Sequence, residues 1–280
     1  MSAPARGSGR GRGSEPGRRF RIAYAEHRAR EGRGLADEAE LLALPYLDRG
    51  PLARQWAVRA RTFDAFRATV LDVRAREVAP RSVAVADLGA GNAWLSYRLV
   101  TLGHRAVAVD FRTDAVDGLG AAGPYGRHLA RMFDRVAGDF EALPLADRTF
   151  DIAVFNAAVH YARDLARALR QAAQIVVSGG RLAILDSPFY QSDEAGRAMV
   201  EEKRRSGRRV FGELADDLLS YQPVEYLTAD LLTQASRSLG LAWRRHRVWY
   251  PWWYELRPLT ARLGGARPPS RFDLWEATLP

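Results

Sequence analysis

The stretch Asp87-Leu88-Gly89-Ala90-Gly91-Asn92-Ala93 follows a short apolar run, Val83 to Asp87 (VAVAD), and precedes a helical run from about Ala93 to Leu102. In that run Leu95, Leu99 and Leu102 share one face and Gly103 marks the stop. Glycine at 89 and 91 lets the chain turn tightly from strand to helix and lets a ligand come close where a Cβ would collide. Three ligand classes use such a turn, and spacing separates them. A dinucleotide fingerprint needs a third glycine where Trp94 stands, and an indole is too large for a helix packed beside a pyrophosphate. A phosphate-cradling loop needs Gly-Lys-[Ser/Thr], yet the only lysine, Lys203, lies far along the chain. What remains is an acidic residue two positions ahead of a Gly-x-Gly turn.

Outward from this turn the chain alternates strands with helices, the pattern of a parallel α/β sheet. Arg105 to Asp110 (RAVAVD) reads as the second strand, Val136 to Gly138 as a short third and Phe150 to Phe155 (FDIAVF) as the fourth. Asp164 caps a helix carrying Leu165, Leu169, Ala172 and Val176, expected to end at Gly179-Gly180. Arg181 to Asp186 (RLAILD) makes a fifth strand. Residues Ser187 to Pro223 read as a charged, mostly helical insertion. A helix from Ala229 to Leu239 and strands over Ala242 to Tyr250 and Phe272 to Leu279 complete the series. Ahead of the first strand, a helix starting at Pro51 carries Leu52, Trp56, Arg59, Phe63, Phe66, Val70 and Val73 along one face to Glu77. Arg59 stands where that stripe expects a core residue, so it either pairs with a buried acid, snorkels out or faces a ligand. The expected organisation is a tail over 1–20, a helical cap over 21–79 and one domain over 80–280 with an insertion at about 187–225.

Further residues extend the pattern of the glycine turn. Asp110 closes the second strand, where a carboxylate can accept both hydroxyls of a ribose. Gly138-Asp139-Phe140-Glu141-Ala142-Leu143-Pro144, with Asp147 and Phe150-Asp151, forms a second motif. Together these resemble the class I S-adenosylmethionine-dependent methyltransferases, in the group that includes the ubiquinone and menaquinone C-methyltransferases. The resemblance covers roughly Val83 to Pro188. It implies a Rossmann-like, seven-stranded, mostly parallel sheet with an antiparallel last strand, an N-terminal helical lid and a helical insertion after the fifth strand. It further implies S-adenosylmethionine as cofactor. Gly89, Gly91 and Asn92 would lie under its methionine part, Asp87 near its ammonium, Asp110 on its ribose, and Asp139 with Phe140 at its adenine edge. Ala93 replaces a third glycine common in that loop, at little cost if it already lies in the helix.

The acceptor side starts at Phe155-Asn156-Ala157-Ala158-Val159-His160-Tyr161. Asn156, also expected to contact the cofactor, is present without the two prolines found in amide and nucleobase amino methyltransferases. That argues against adenine or glutamine and leaves a hydroxyl, a carbon acid or a small amine. His160, and less so Tyr161, are the candidates for handling an acceptor proton. Trp56, Arg59 and Tyr190 are the expected substrate-side residues, with Trp56 walling the pocket, Arg59 facing the cofactor carboxylate and Tyr190 close to the same opening.

The 280 residues carry a formal charge of +9, and 47% are hydrophobic. A chain of this size builds its core without disulfides or zinc, and it has no Cys. Residues Met1 to Arg33 hold nine Arg against three Glu, so most of the excess sits in a Gly/Ser/Arg-rich start that is expected to be disordered. No long apolar run or export signal is evident, so a cytoplasmic location is expected. The partners expected are a small-molecule acceptor, with no metal and no nucleic acid. An RNA methyltransferase, a non-catalytic cofactor-binding module and a nicotinamide oxidoreductase are the rivals. Trp249-Tyr250-Pro251-Trp252-Trp253-Tyr254 reads as a strand end packed on helices, or alternatively as an acceptor channel or membrane-surface patch.

Overall fold

A computed structural model describes residues 37–211, 224 and 226–280. The Arg-rich start and much of the insertion after the fifth strand lie outside the described residues. Seven strands form one sheet: β1 (Ala84–Leu88), β2 (Arg105–Asp110), β3 (Asp134–Ala137), β4 (Phe150–Asn156), β5 (Val176–Leu185), β6 (Arg244–His246) and β7 (Leu274–Thr278). Their order is β3-β2-β1-β4-β5-β7-β6. The first five run parallel, and β7 runs antiparallel to both β5 and β6. The order reverses between β1 and β4, so the carboxyl ends of those strands flank the crevice where open α/β sheets bind ligands.

Strand alternation sends side chains to two cores. Val85, Ile152, Val154, Ala183 and Leu185 face a layer of α1 (Glu38–Ala43), α2 (Ala53–Phe66), α3 (Asp72–Val78) and α4 (Trp94–Thr101). Ala86, Leu88, Ala153, Phe155, Leu182 and Ile184 face α5 (Leu165–Ile175) and α7 (Ala229–Ser236); α6 (Asp193–Phe211) lies between β5 and α7 in sequence. The N-terminal helices are therefore built into the main core. Asp151 pins them to the sheet. It takes Arg81 Nη1 at 2.6 Å, Arg74 Nη2 at 3.1 Å and the Ala84 N–H at 2.9 Å. These partners outweigh burial and hold its carboxyl below the usual range.

Four local expectations need correction. The helix expected from Pro51 to Glu77 is interrupted by a wide turn, Arg67–Leu71, whose bonds span five residues. That extra residue shifts the buried face, so Leu71 is fully buried and Val73 only half. The helix expected to stop at Gly179-Gly180 ends at Ile175, and β5 begins at Val176. Gly180 sits inside that strand because a Cβ there would meet the Asp151 carbonyl at 2.7 Å. The strand expected over Ala242 to Tyr250 shrinks to Arg244–His246, since the Val248 N–H turns to Asp273 at 3.2 Å. The chain then enters α8 (Trp252–Glu255) and α9 (Arg257–Leu263), burying Tyr250 and Tyr254 and exposing Trp249 and Trp252. Finally, Ala93 precedes α4 with φ +58°, so its backbone is held in the left-handed region that disfavours a Cβ. Among the described residues no helix is long and apolar enough to cross a membrane.

Candidate active site

The glycine turn is fixed mostly by backbone bonds. The N–H groups of Gly89 and Ala90 donate to the Val109 carbonyl at 2.8 and 3.0 Å, tying the β1 exit to β2. Gly89 has φ +77°, and a Cβ there would sit 2.4 Å from the Ala158 methyl, so only glycine lets the β1 and β4 loops meet. Gly91 has φ +55° and donates its N–H to Asp110 Oδ2 at 2.7 Å. The other oxygen of Asp110 accepts the Arg112 N–H at 2.8 Å. Asp110 is 7% exposed, and burial pushes its carboxyl up to about 6 despite those two bonds. Asp87 is fully buried; it accepts from Ser96 Oγ at 2.9 Å, its second oxygen has no partner, and burial raises it to about 7. Asn92 accepts the Trp94 N–H at 3.3 Å and so shapes the turn into α4.

The other cofactor candidates gather at the same end of the sheet. Asp139 accepts the Glu141 N–H at 2.9 Å and an Arg163 guanidinium N–H at 2.7 Å. The Phe140 ring stands edge-on to Phe155 at 5.6 Å, next to Gly89. Glu141, which sequence reading passed over, is 4% exposed and accepts the backbone N–H groups of Arg163 and Asp164. It locks the 139–141 loop to the start of α5. Asn156 ends β4, 9% exposed, with its carbonyl oxygen unpartnered.

His160 and Tyr161 lie on a single turn, Val159–Tyr161, with their rings 4.2 Å apart. His160 Nδ1 is 3.3 Å from Ser187 Oγ, bridging the loops after β4 and β5. Trp56, expected at the pocket wall, is 5% exposed and packs edge-on to Trp94 at 5.9 Å. Tyr190 is 8% exposed, with the Arg267 guanidinium 5.4 Å from its ring. Arg59 lies over the Trp56 ring at 5.0 Å and opens onto a cavity of about 210 Å³ that Asp186, Val58, Trp253, Tyr254 and Phe272 also line.

Asp186, also passed over, follows β5 with φ +51° and is 7% exposed. Neither carboxylate oxygen completes a hydrogen bond. Thr62 is close enough to ease its charge, but the Thr62 hydroxyl already meets Tyr250 Oη at 2.9 Å and the Val58 carbonyl at 3.3 Å. Burial raises the Asp186 carboxyl, opposed mainly by the nearby Arg59 guanidinium.

A methyltransferase-domain family model matches residues 86–184. Demethylmenaquinone methyltransferase of Mycobacterium tuberculosis is 34% identical over 169 residues, which is 57% of this chain and 68% of that protein. The chain belongs to the class I S-adenosylmethionine-dependent methyltransferases. Malonyl-[acyl-carrier protein] O-methyltransferase of Yersinia pestis is 31% identical over 114 residues, 41% of this chain and 40% of that protein. The chain thus spans less than half the length of some curated relatives that it matches. Among solved structures, Burkholderia thailandensis 1,6-didemethyltoxoflavin-N1-methyltransferase, with 1,6-didemethyltoxoflavin and S-adenosylhomocysteine bound, covers all of this chain and 93% of its own. Its TM-score is 0.52 at 17% identity, a likeness of fold.

The lining of this methyltransferase fits its family's cofactor. The N–H groups at Gly89, Ala90 and Gly91 are engaged within the turn, while Asp87, Asp110 and Asn156 offer carbonyl or carboxylate oxygens at adjoining strand ends. Two carboxylates beside one turn repel a pyrophosphate and suit an ammonium and a ribose diol. Among the described residues no group of His, Asp and Glu is placed to hold a metal ion.

Proposed function

We propose that this methyltransferase moves the methyl group of S-adenosylmethionine to a small organic acceptor, at oxygen or carbon. The observation that carries the reading is the set of hydrogen-bond acceptors around the glycine turn, above all the buried Asp110. Asp110 would hold the ribose hydroxyls, Asp87 would face the ammonium side, and Asp139 with the Phe140 backbone would read the adenine edge. Gly89, Gly91 and Asn92 would shape the floor beneath the methionine portion, with Asn156 at its β4 side.

When bound, the cofactor supplies a sulfonium methyl group that is already strongly electrophilic. The chain therefore has mainly to align the acceptor and exclude water. His160, whose Nδ1 lies 3.3 Å from Ser187 Oγ, would orient an acceptor or take its proton. The acceptors for which the relatives are named differ from one another, so they do not identify the one used here.

Isothermal titration of the full chain with S-adenosylmethionine and S-adenosylhomocysteine tests the reading. Micromolar binding of both is expected, and no binding of either would refute it.

A further inference from the structure

The cavity beside Asp186 is built by parts of the chain far apart in sequence: α2, the end of β5 and the C-terminal helical turns. Leu182 and Ile184 point to the α5 side of the sheet, so strict alternation would send residue 186 there too. The left-handed φ of Asp186 instead turns its carboxylate toward Val58, Trp253 and Tyr254. Asp tolerates that conformation better than most residues, though at a cost. A buried carboxylate aimed into a cavity, with both oxygens lacking hydrogen bonds and its burial only partly offset by the field of Arg59, is expensive unless a donor arrives.

The walls indicate what carries that donor. Trp253, Tyr254 and Phe272 offer aromatic surface, and the cavity of about 210 Å³ exceeds the roughly 150 Å³ that accommodates benzene. Arg54, exposed on α2, lies over the Trp253 ring at 5.5 Å. Arg257 lies over the Tyr254 ring at 4.3 Å, with one N–H given to the Ser270 carbonyl. Both guanidiniums line the cavity, so it also favours an anionic group.

We propose that this cavity is the acceptor site, that it takes a single-ring aromatic acid bearing a hydroxyl, and that Asp186 accepts the hydroxyl hydrogen while Arg54 and Arg257 face the acid group. The acceptor role rests on the methyltransferase reading; the ligand chemistry does not. The pair of carboxylate and arginines selects against molecules that carry only one of the two polar groups.

The test uses 4-hydroxyphenylacetate, phenylacetate and 4-cresol as probes, with saturation-transfer NMR titrations on the full chain and a separate calorimetric titration with S-adenosylhomocysteine. Wild type should bind 4-hydroxyphenylacetate on the order of tenfold more tightly than either partial probe. Asp186→Asn should lose most of the advantage over phenylacetate while keeping its affinity for S-adenosylhomocysteine. Arg54→Gln, on an exposed side chain, should weaken both acids together and leave 4-cresol unchanged. The assignment is overturned if wild type binds none of the probes, or does not discriminate among them, or if Asp186→Asn discriminates as wild type does. Expected probe behaviour without S-adenosylhomocysteine binding would uphold the cavity assignment and refute the cofactor reading. The reverse result would refute the cavity assignment alone.

Discussion

Asp110 and Asp186 stand at the carboxyl ends of two parallel strands of one sheet, and each is 7% exposed. Asp110 accepts two backbone N–H groups, from Gly91 and Arg112, whereas the oxygens of Asp186 accept none. The first carboxylate belongs to a locally closed loop that holds its shape before any ligand arrives. The second is left open by a turn of the backbone and is enclosed by helices from both ends of the chain. Buried charge thus serves two purposes on one edge of the sheet: preorganisation at β2 and an unmet demand at β5.

The largest effect is expected at the closed end. Asp110→Ala removes the ribose acceptor and also strands the Gly91 and Arg112 N–H groups. S-adenosylhomocysteine affinity should therefore fall by about 100-fold, or about 3 kcal/mol, in a calorimetric titration. A loss under threefold would separate Asp110 from cofactor binding. Gly89→Ala tests the backbone instead. Its methyl would meet the Ala158 Cβ at 2.4 Å in a left-handed conformation. Denaturant unfolding should show destabilisation of about 2 to 3 kcal/mol, with weakened S-adenosylhomocysteine binding.

The pH dependence should be smaller. Burial raises Asp110 to about 6 and Asp87 to about 7, while a ligand that presents an ammonium and hydroxyls favours the ionised carboxylates. As pH falls through 7 and then 6 these groups protonate, and binding weakens. S-adenosylhomocysteine affinity should be about tenfold lower at about pH 5.5 than at about pH 8, with proton release on binding visible as a buffer-dependent heat. A pH-independent affinity would leave the two carboxylates outside the site.

The closed end was legible in the sequence because its parts are local. Asp87 to Ala93 and Asp110 lie within one strand-helix-strand unit, and the steric demand at Gly89 is written as a glycine. The sheet was legible because short apolar runs alternate with helical ones along the chain. The exceptions are places where tertiary contacts decide. Val176 and Val177 pull the chain into β5 ahead of Gly180, and a wide turn in the N-terminal helix buries Leu71 in place of Val73. The open end was not legible. Asp186 reads as the last residue of a strand, and its partners come from residues 54 to 62 and 250 to 272. No spacing rule joins those segments. The one local hint was Arg59, out of place on an apolar stripe, and its field falls on Asp186.

The smallest effect is the one that separates the two carboxylates most directly, because it should change sign between them. Asp110→Asn keeps the side-chain shape but turns one accepting oxygen into an N–H₂ group facing a backbone N–H. Unfolding of the ligand-free chain near neutral pH should show a loss of about 1 to 2 kcal/mol. Asp186→Asn takes a charge out of a buried site that gives it no hydrogen bond. The Arg59 field compensates only part of that burial cost, because burial still raises the Asp186 carboxyl. Asn also tolerates the left-handed backbone, so no new strain enters. The same measurement should therefore show a gain of about 1 kcal/mol. If Asp186→Asn instead destabilised the chain as Asp110→Asn does, Asp186 would be a structural carboxylate bound to Arg59 and Thr62. The contrast between a closed and an open end of the sheet would then fail at its own defining residue.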